Sequence, residues 1–318
     1  MTDNAPFFVI GAGRSGTTLL RLVLTGHSRL HVPPETWFVR PLVERLPLTA
    51  VLDPAQVAQA VALMTQHERW PDMEFSAAAL QEQAAGLVRP TLGELVTLVY
   101  RHLLQGSGKA RLGDKTPHYS AIVPELAALY PAAKFIHLVR DGRDVAISWI
   151  DAGWQRYYEP DFGWTLAMAH RRRYRAAGLA DRVLEVRYED LVRDPERVAR
   201  LICDFLGELF EPAMLAWRER TQLVVSRDRH LHGRLQQPLS DDAIAVWQRR
   251  LSAGECFATE ACLHPDLLAL GYSLRFGARG WRPIFSITAG SLRAAAPLLR
   301  RGIPYLQKRR LLPAACYL

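Results

Sequence analysis

A glycine-rich turn near the start of the chain has the composition of a phosphate-binding loop. Residues 11–16, Gly-Ala-Gly-Arg-Ser-Gly, follow an apolar run from Phe7 that is typical of a buried strand, and a helix pattern begins at Thr17. Glycines let the backbone approach an anion, and the unpaired N–H groups of a helix N-terminus attract it. The spacing matches a P-loop, but Thr17 replaces the P-loop lysine and Arg14 lies inside the turn. We therefore expect a phosphate-containing ligand that does not end like a nucleoside triphosphate; an ordinary glycine-rich turn is the alternative.

The loop sequence GAGRSGTTLL resembles a motif of a known enzyme family. It is similar to the 5′-phosphosulfate loop of sulfotransferases that use 3′-phosphoadenosine 5′-phosphosulfate (PAPS), most closely the tyrosylprotein branch and its bacterial relatives. The resemblance implies PAPS as the co-substrate and adenosine 3′,5′-bisphosphate (PAP) as the product. It also implies that the donor is bound by Gly13, Arg14, Ser15, Gly16, Thr17 and Thr18.

The same resemblance assigns chemistry to a glutamate and a lysine. In that branch a glutamate lies 21 positions after the loop arginine, and the corresponding residue after Arg14 is Glu35. There it removes the proton of the acceptor hydroxyl, as a carboxylate near the donor is able to do. Asp-Lys-Thr-Pro, residues 114–117, resembles a second motif, whose lysine, here Lys115, contacts the sulfuryl end of the donor. Arg14, Glu35 and Lys115 are thus the predicted catalytic residues; a surface glutamate and a solvated lysine are the alternatives.

The predicted strand Lys134–Val139 leads into a second candidate phosphate site. In the family, an arginine at the end of this strand and a serine eight positions later bind the 3′-phosphate of the donor. The corresponding residues are Arg140 and Ser148. A guanidinium group can clamp a phosphate with two parallel hydrogen bonds. An ion pair of Arg140 with Asp141 or Asp144 is the alternative.

Three more donor contacts are implied by the resemblance. The segment 187–191, Arg-Tyr-Glu-Asp-Leu, is similar to a family segment whose tyrosine, here Tyr188, lies beside the nucleotide. The family also has a loop that closes over the donor with a serine and, just before a proline, a lysine. Ser226 matches the serine, whereas Gln237 stands at the lysine position. Arg234 is our candidate to supply the missing cation.

These residues can act together only if a sheet brings them to one edge. Each of the cations Arg14, Lys115 and Arg140 follows a predicted strand, and ligands of parallel sheets bind where the strands end. We expect an α/β fold of the P-loop-like, three-layer kind, with a central, mostly parallel sheet flanked by helices. Residues 1–272 are predicted to form this domain, and its helical insertion, residues 36–110, is the candidate region for acceptor specificity.

Composition limits the other roles of the chain. With 318 residues and 49% hydrophobic residues it can bury a large core, and its four cysteines lack the spacing of a metal site. We expect no metal cofactor and no nucleic-acid partner. Residues 275–318 carry nine basic and no acidic residues, although the whole chain has a formal net charge of only +8. The basic C-terminal extension, residues 273–318, is predicted to form an amphipathic helix that contacts anionic lipid or an acidic partner, or else a packed accessory helix.

The predicted location is cytoplasmic. The first strand begins near residue 7, which leaves no room for a signal peptide, and no apolar run reaches the roughly 18 residues of a membrane span. Peripheral membrane contact would then come from the basic extension.

The resemblance implies sulfuryl transfer from PAPS to an acceptor hydroxyl, with a glycan or small metabolite favoured and tyrosine also compatible. A P-loop-type kinase or nucleotide hydrolase is the first alternative, although it would need magnesium and a lysine at position 17. A non-catalytic nucleotide-binding module is the second alternative, and the presence of Glu35 and Lys115 argues against it.

Overall fold

The structure, a computed structural model, describes residues 5–152, 163–225 and 233–276. They fall into two units. The first contains residues 5–139, 170–225 and 233–239, and the second contains residues 140–152, 163–169 and 240–276. Two sequence predictions lie outside the described residues, namely Ser226 and the extension from residue 277 onward.

A five-stranded parallel sheet, among the described residues, is the centre of the first unit. Its strands are β1 (Phe7–Gly11), β2 (Leu30–His31), β3 (Arg111–Lys115), β4 (Lys134–Val139) and β5 (Val183–Arg187). They are arranged in the order β2-β3-β1-β4-β5, and each pairs with its neighbour in parallel. Val9 pairs with Lys115 and Gly11 pairs with Leu138, so the C-terminal ends of β3, β1 and β4 lie side by side. The predicted α/β fold with a parallel sheet flanked by helices is therefore confirmed.

Helices follow the strands and fill the connections between them. In chain order they are α1 (Thr17–Thr25), α2 (Val39–Val43), α3 (Pro54–Thr65), α4 (Ala77–Ala85), α5 (Leu92–Ser107), α6 (Val123–Leu129), α7 (Gly142–Asp151), α8 (Trp164–Ala176), α9 (Tyr188–Arg193), α10 (Pro195–Leu206), α11 (Trp247–Arg250) and α12 (Ala253–Ala269). A 3₁₀ turn, Pro117–Ile122, links β3 to α6.

The insertion between β2 and β3 contains the helices α2 to α5. Asp53 and Thr91 begin α3 and α5, and each accepts a hydrogen bond from the backbone N–H three residues later. Gln56 and Glu94 return a side-chain bond to the capping residue, which completes a capping box at both helices. The apolar faces of these helices belong to the same buried cluster as Phe8 of β1. The insertion therefore packs against the sheet through a shared hydrophobic core.

The second unit is organised around a buried arginine in α7. Arg143 donates to Asp141 at 2.7 Å and to Glu260 at 2.5 Å, and its guanidinium lies 3.7 Å from the centre of the Trp247 ring. Two carboxylates around one guanidinium compensate its burial. These contacts join the start of α7 to α11 and α12.

Candidate active site

The loop between β1 and α1 has two positions that only glycine fits. Gly11 and Gly16 have positive φ angles of 154° and 95°. A Cβ atom at Gly11 would lie 2.6 Å from the carbonyl oxygen of Leu138, and one at Gly16 would lie 2.4 Å from the ring of Tyr188. The glycine spacing therefore reflects close packing of the loop against β4 and against Tyr188.

The same loop has the features of an anion cradle. Arg14 has a left-handed φ of 68°, a conformation that costs energy in a non-glycine residue and is concentrated at functional sites. No side chain caps the N-terminus of α1, and its first turn has no acidic residue. The hydroxyl of Ser15 is completely buried and has no hydrogen-bond partner among the described residues. The backbone N–H groups at the start of α1 and the Ser15 hydroxyl are donors of the kind that a phosphosulfate group requires.

Glu35 and Lys115, 80 positions apart in the chain, meet at the C-terminal end of β3. Lys115 Nζ donates to Glu35 Oε1 at 2.5 Å, and the side chains are 4% and 20% exposed, respectively. Burial would raise the pKa of Glu35, but the Lys115 ammonium and a hydrogen bond from Trp37 together hold that pKa below its ordinary value. Glu35 is thus held as a carboxylate, the form that accepts a proton.

An aromatic residue fixes the other oxygen of this carboxylate. Trp37 Nε1 donates to Glu35 Oε2 at 2.8 Å, and the Trp37 ring lies 4.6 Å from the ring of His118. Trp37 itself has a left-handed φ of 59°. Burial lowers the pKa of His118, against the opposing effect of Glu35. The Glu35 carboxylate is therefore hydrogen-bonded to an ammonium at one oxygen and to an indole N–H at the other.

A buried carboxylate that the sequence analysis did not single out lies beneath this pair. Asp114 is completely buried and accepts hydrogen bonds from Thr36, Tyr100 and Thr116. Burial raises its pKa to about 6, against the lowering effect of those three bonds. Its position just before Lys115 at the end of a buried strand was the available signal.

The second unit contains the two residues predicted to bind the 3′-phosphate. Arg140 is 8% exposed, donates from Nη2 to the carbonyl of Ala243 at 2.9 Å, and accepts at its own carbonyl from Trp164 Nε1. Ser148 lies in α7 and is half-buried. The Asp141 carboxylate, which the sequence offered as an alternative partner for Arg140, pairs with Arg143. Binding of a 3′-phosphate by Arg140 and Ser148 stays a prediction.

Comparison with known proteins identifies the family. The model of the sulfotransferase family (Sulfotransfer_3) matches residues 6–212, which is more than half of the chain. This protein belongs to the sulfotransferase family of enzymes.

Individual relatives agree with that assignment. A protein-tyrosine sulfotransferase of Drosophila melanogaster is 25% identical over 280 residues, which are 83% of this chain and 51% of that protein. The nodulation protein NoeE of Sinorhizobium fredii is 29% identical over 301 residues, 83% of this chain and 65% of that protein. The sulfotransferase domain of the Synechococcus PCC 7002 olefin synthase superposes with a TM-score of 0.61 at 25% identity, covering 85% of this chain and 96% of that domain. This chain therefore spans about half of the Drosophila protein and about two thirds of NoeE.

The remaining predicted residues of this sulfotransferase differ in how far the structure describes them. The ring of Tyr188 packs against Gly16 of the loop, and its contact with the nucleotide stays a prediction. Arg234 is exposed in the 3₁₀ turn Gly233–Gln236, and its role in closing over the donor stays a prediction. Ser226 lies outside the described residues. No helix in the described parts of the chain has the length and apolar character needed to cross a membrane.

Proposed function

We propose that this protein transfers the sulfuryl group of PAPS to an acceptor hydroxyl, with Glu35 as the general base. The observation that carries the proposal is the 2.5 Å contact between Glu35 and Lys115 at the strand end next to the loop. A carboxylate and an ammonium held together give one group that removes a proton and one that stabilises negative charge. Both are needed when a hydroxyl attacks sulfur and a phosphate leaves.

The steps follow from the positions of these groups. Glu35 accepts the proton of the acceptor hydroxyl as its oxygen forms a bond to sulfur. The bond from sulfur to the bridging oxygen breaks, and its electron pair stays on the 5′-phosphate of the product PAP. Lys115 stabilises the charge on the sulfuryl oxygens and on this leaving phosphate. Ser15, Thr17 and the N–H groups of the loop bind the phosphate and keep it in line with the attacking oxygen.

The electrostatic surroundings of Glu35 keep its side chain ionised at neutral pH. Because its pKa is held below the ordinary value, Glu35 is ionised before the acceptor arrives. Burial lowers the pKa of Arg21 in α1 to about 10, and the negative charge of Glu35 opposes this shift. The Glu35 carboxylate therefore has an electrostatic effect on a residue of the helix that follows the loop.

We propose a glycan or a small metabolite as the acceptor, with tyrosine as the competing candidate. The relative from Drosophila is named for protein tyrosine, but this chain spans only half of it. The half-buried ring of Trp37, beside the Glu35 carboxylate, offers an apolar surface to the acceptor. The insertion behind it would then select among acceptors.

Transfer of ³⁵S from labelled PAPS tests this proposal with three acceptor classes: oligosaccharides, tyrosine peptides and simple phenols. We expect transfer to at least one class in wild type, and its loss in Glu35→Gln. Transfer of phosphate from ATP instead would favour the kinase alternative. Binding of PAP without transfer to any acceptor or to water would favour the binding module.

A further inference from the structure

Resting on the proposed function, we infer that Asp114 is a positioning residue that holds the general base Glu35 and the cation Lys115 in their catalytic arrangement. The Asp114 carboxylate lies inside the protein and is not placed to touch the acceptor itself. It acts through the two residues that follow Glu35 and Lys115 in the chain.

The hydrogen bonds of Asp114 lead directly to these neighbours. Its Oδ2 accepts from Thr36 Oγ1 at 2.6 Å, and Thr36 is the residue after Glu35. Its Oδ1 accepts from Thr116 Oγ1 at 2.9 Å, and Thr116 is the residue after Lys115. One carboxylate therefore binds the segment that carries the base and the segment that carries the cation.

Further bonds close this connection. The Thr36 N–H donates to Thr116 Oγ1 at 3.1 Å, and the Thr36 hydroxyl contacts the Tyr119 hydroxyl at 2.8 Å. The Tyr119 hydroxyl also accepts from the N–H of Val39 at 3.0 Å, where α2 begins. The segment from Thr36 to Val39 is thus bound to the end of β3 and the turn after it through side chains.

Glu35 needs such support because no regular element holds it. It lies in the irregular segment between β2 and α2, and the next residue but one, Trp37, has the left-handed φ of 59°. A strained backbone persists only where surrounding contacts determine it. The bonds of Thr36, between Glu35 and Trp37, are the contacts that do so.

Burial destabilises the ionised form of the Asp114 carboxylate at this position. Burial raises the pKa of Asp114 to about 6, and Tyr100, Tyr119, Tyr130 and Glu35 are the titratable groups that face it. In the described part of the chain, its ionised form is stabilised by the hydroxyl donors of Thr36, Tyr100 and Thr116. A role in positioning the catalytic pair explains why an acid occupies a site where burial penalises its charge.

Two substitutions that each remove one hydroxyl donor to the same Asp114 oxygen separate positioning from stability. Thr36→Val removes the hydroxyl at 2.6 Å from Asp114 Oδ2, and Tyr100→Phe removes the one at 2.7 Å. Tyr100 lies in α5, so its bond does not involve the segment that carries Glu35. We expect Thr36→Val to lose at least as much unfolding free energy as Tyr100→Phe, because it also loses the contact with the Tyr119 hydroxyl. A roughly 100-fold lower kcat is expected only in Thr36→Val, because small displacements of reacting groups cost about this factor. Thr36→Ser, which keeps the hydroxyl, is expected to restore kcat.

The assay uses PAPS with 4-nitrophenol as a probe acceptor, together with PAP titration and crystal structures of both variants. We expect unchanged PAP affinity and a separated Glu35–Lys115 pair in Thr36→Val alone. Equal kcat losses in the two variants, or a normal kcat in Thr36→Val, would overturn the inference. If wild type neither binds PAP nor transfers sulfate, the proposed function fails. The crystal structures then decide about Asp114: an intact pair in Thr36→Val overturns its role, and a separated pair supports it.

Discussion

The substitution Glu35→Gln tests the role of Glu35 most sharply, because an amide cannot satisfy both of its donors. Lys115 Nζ donates to Oε1 at 2.5 Å, and Trp37 Nε1 donates to Oε2 at 2.8 Å. Glutamine has one acceptor oxygen, so its NH₂ group must face either the ammonium or the indole N–H. An unsatisfied buried donor costs about 1–3 kcal/mol. The substitution also removes the counter-charge of Lys115, which is only 4% exposed, and this adds to the loss of stability. Solvent screening at the 20%-exposed Glu35 carboxylate reduces that added loss. We expect a loss of about 2–4 kcal/mol of unfolding free energy.

The effect on turnover is expected to be separate from the effect on stability. Removal of a general base lowers kcat by about 10²–10⁴-fold, whereas PAP binding does not require the base. In Glu35→Gln/Trp37→Phe the opposing indole N–H is gone and the amide oxygen is free to accept from Lys115. The double variant should regain about 1–3 kcal/mol of stability but none of the lost turnover.

Urea denaturation, PAPS turnover and PAP titration measure these three quantities. Glu44→Gln is the matched control, because Glu44 forms an exposed ion pair with Arg40 at 2.7 Å. It should cost less than about 1 kcal/mol and leave turnover unchanged. A kcat of Glu35→Gln within about tenfold of wild type would refute the assignment of Glu35 as the base, since a general base contributes more than that.

Three other substitutions have defined outcomes. Gly16→Ala should weaken PAP binding and lower the thermal unfolding midpoint more than Gly207→Ala, because both glycines have positive φ angles (95° and 83°) but only Gly16 faces a neighbouring ring, at 2.4 Å. Equal effects of the two in calorimetry would contradict the packing argument. Asp114→Asn should remove the loss of stability that Asp114 contributes as pH rises from about 4 to 6, because the pKa of Asp114 is raised from 3.8 to about 6 on folding. That loss is about 3 kcal/mol, and an unchanged pH dependence in urea denaturation would argue against it. Lys115→Met should raise the pKa of Glu35, because burial then acts without the opposing ammonium, and a ¹³C NMR titration in which the pKa does not rise would contradict this.

The parts of the fold that the sequence predicted depend on neighbours in the chain. The strand from Phe7, the glycine loop and the helix from Thr17 are contiguous, so local patterns identify all three. The strand Lys134–Val139 is a local signal of the same kind. A parallel sheet was inferred because a cation follows each of three predicted strands, and ligands of parallel sheets bind where the strands end.

The support beneath the site could not be predicted in this way. Thr36 and Asp114 are 78 positions apart, and only the pairing of β2 with β3 brings their segments together. The left-handed φ of Trp37 is also invisible in the sequence, because tryptophan has no preference for that conformation. A buried carboxylate beside a predicted catalytic lysine was visible as a residue type but not as a hydrogen-bonding centre. Tertiary contact, rather than local propensity, determines this part of the site.

The proposed function requires that this protein bind PAPS, whose product PAP carries phosphates at both the 3′ and 5′ positions. Isothermal titration of the wild-type protein with PAP and with ATP, each with and without Mg²⁺, tests it most directly. We expect PAP to bind at least about tenfold more tightly than ATP, a difference of about 1.4 kcal/mol, and we expect Mg²⁺ not to change this order. Tight, Mg²⁺-dependent binding of ATP together with no binding of PAP would contradict it.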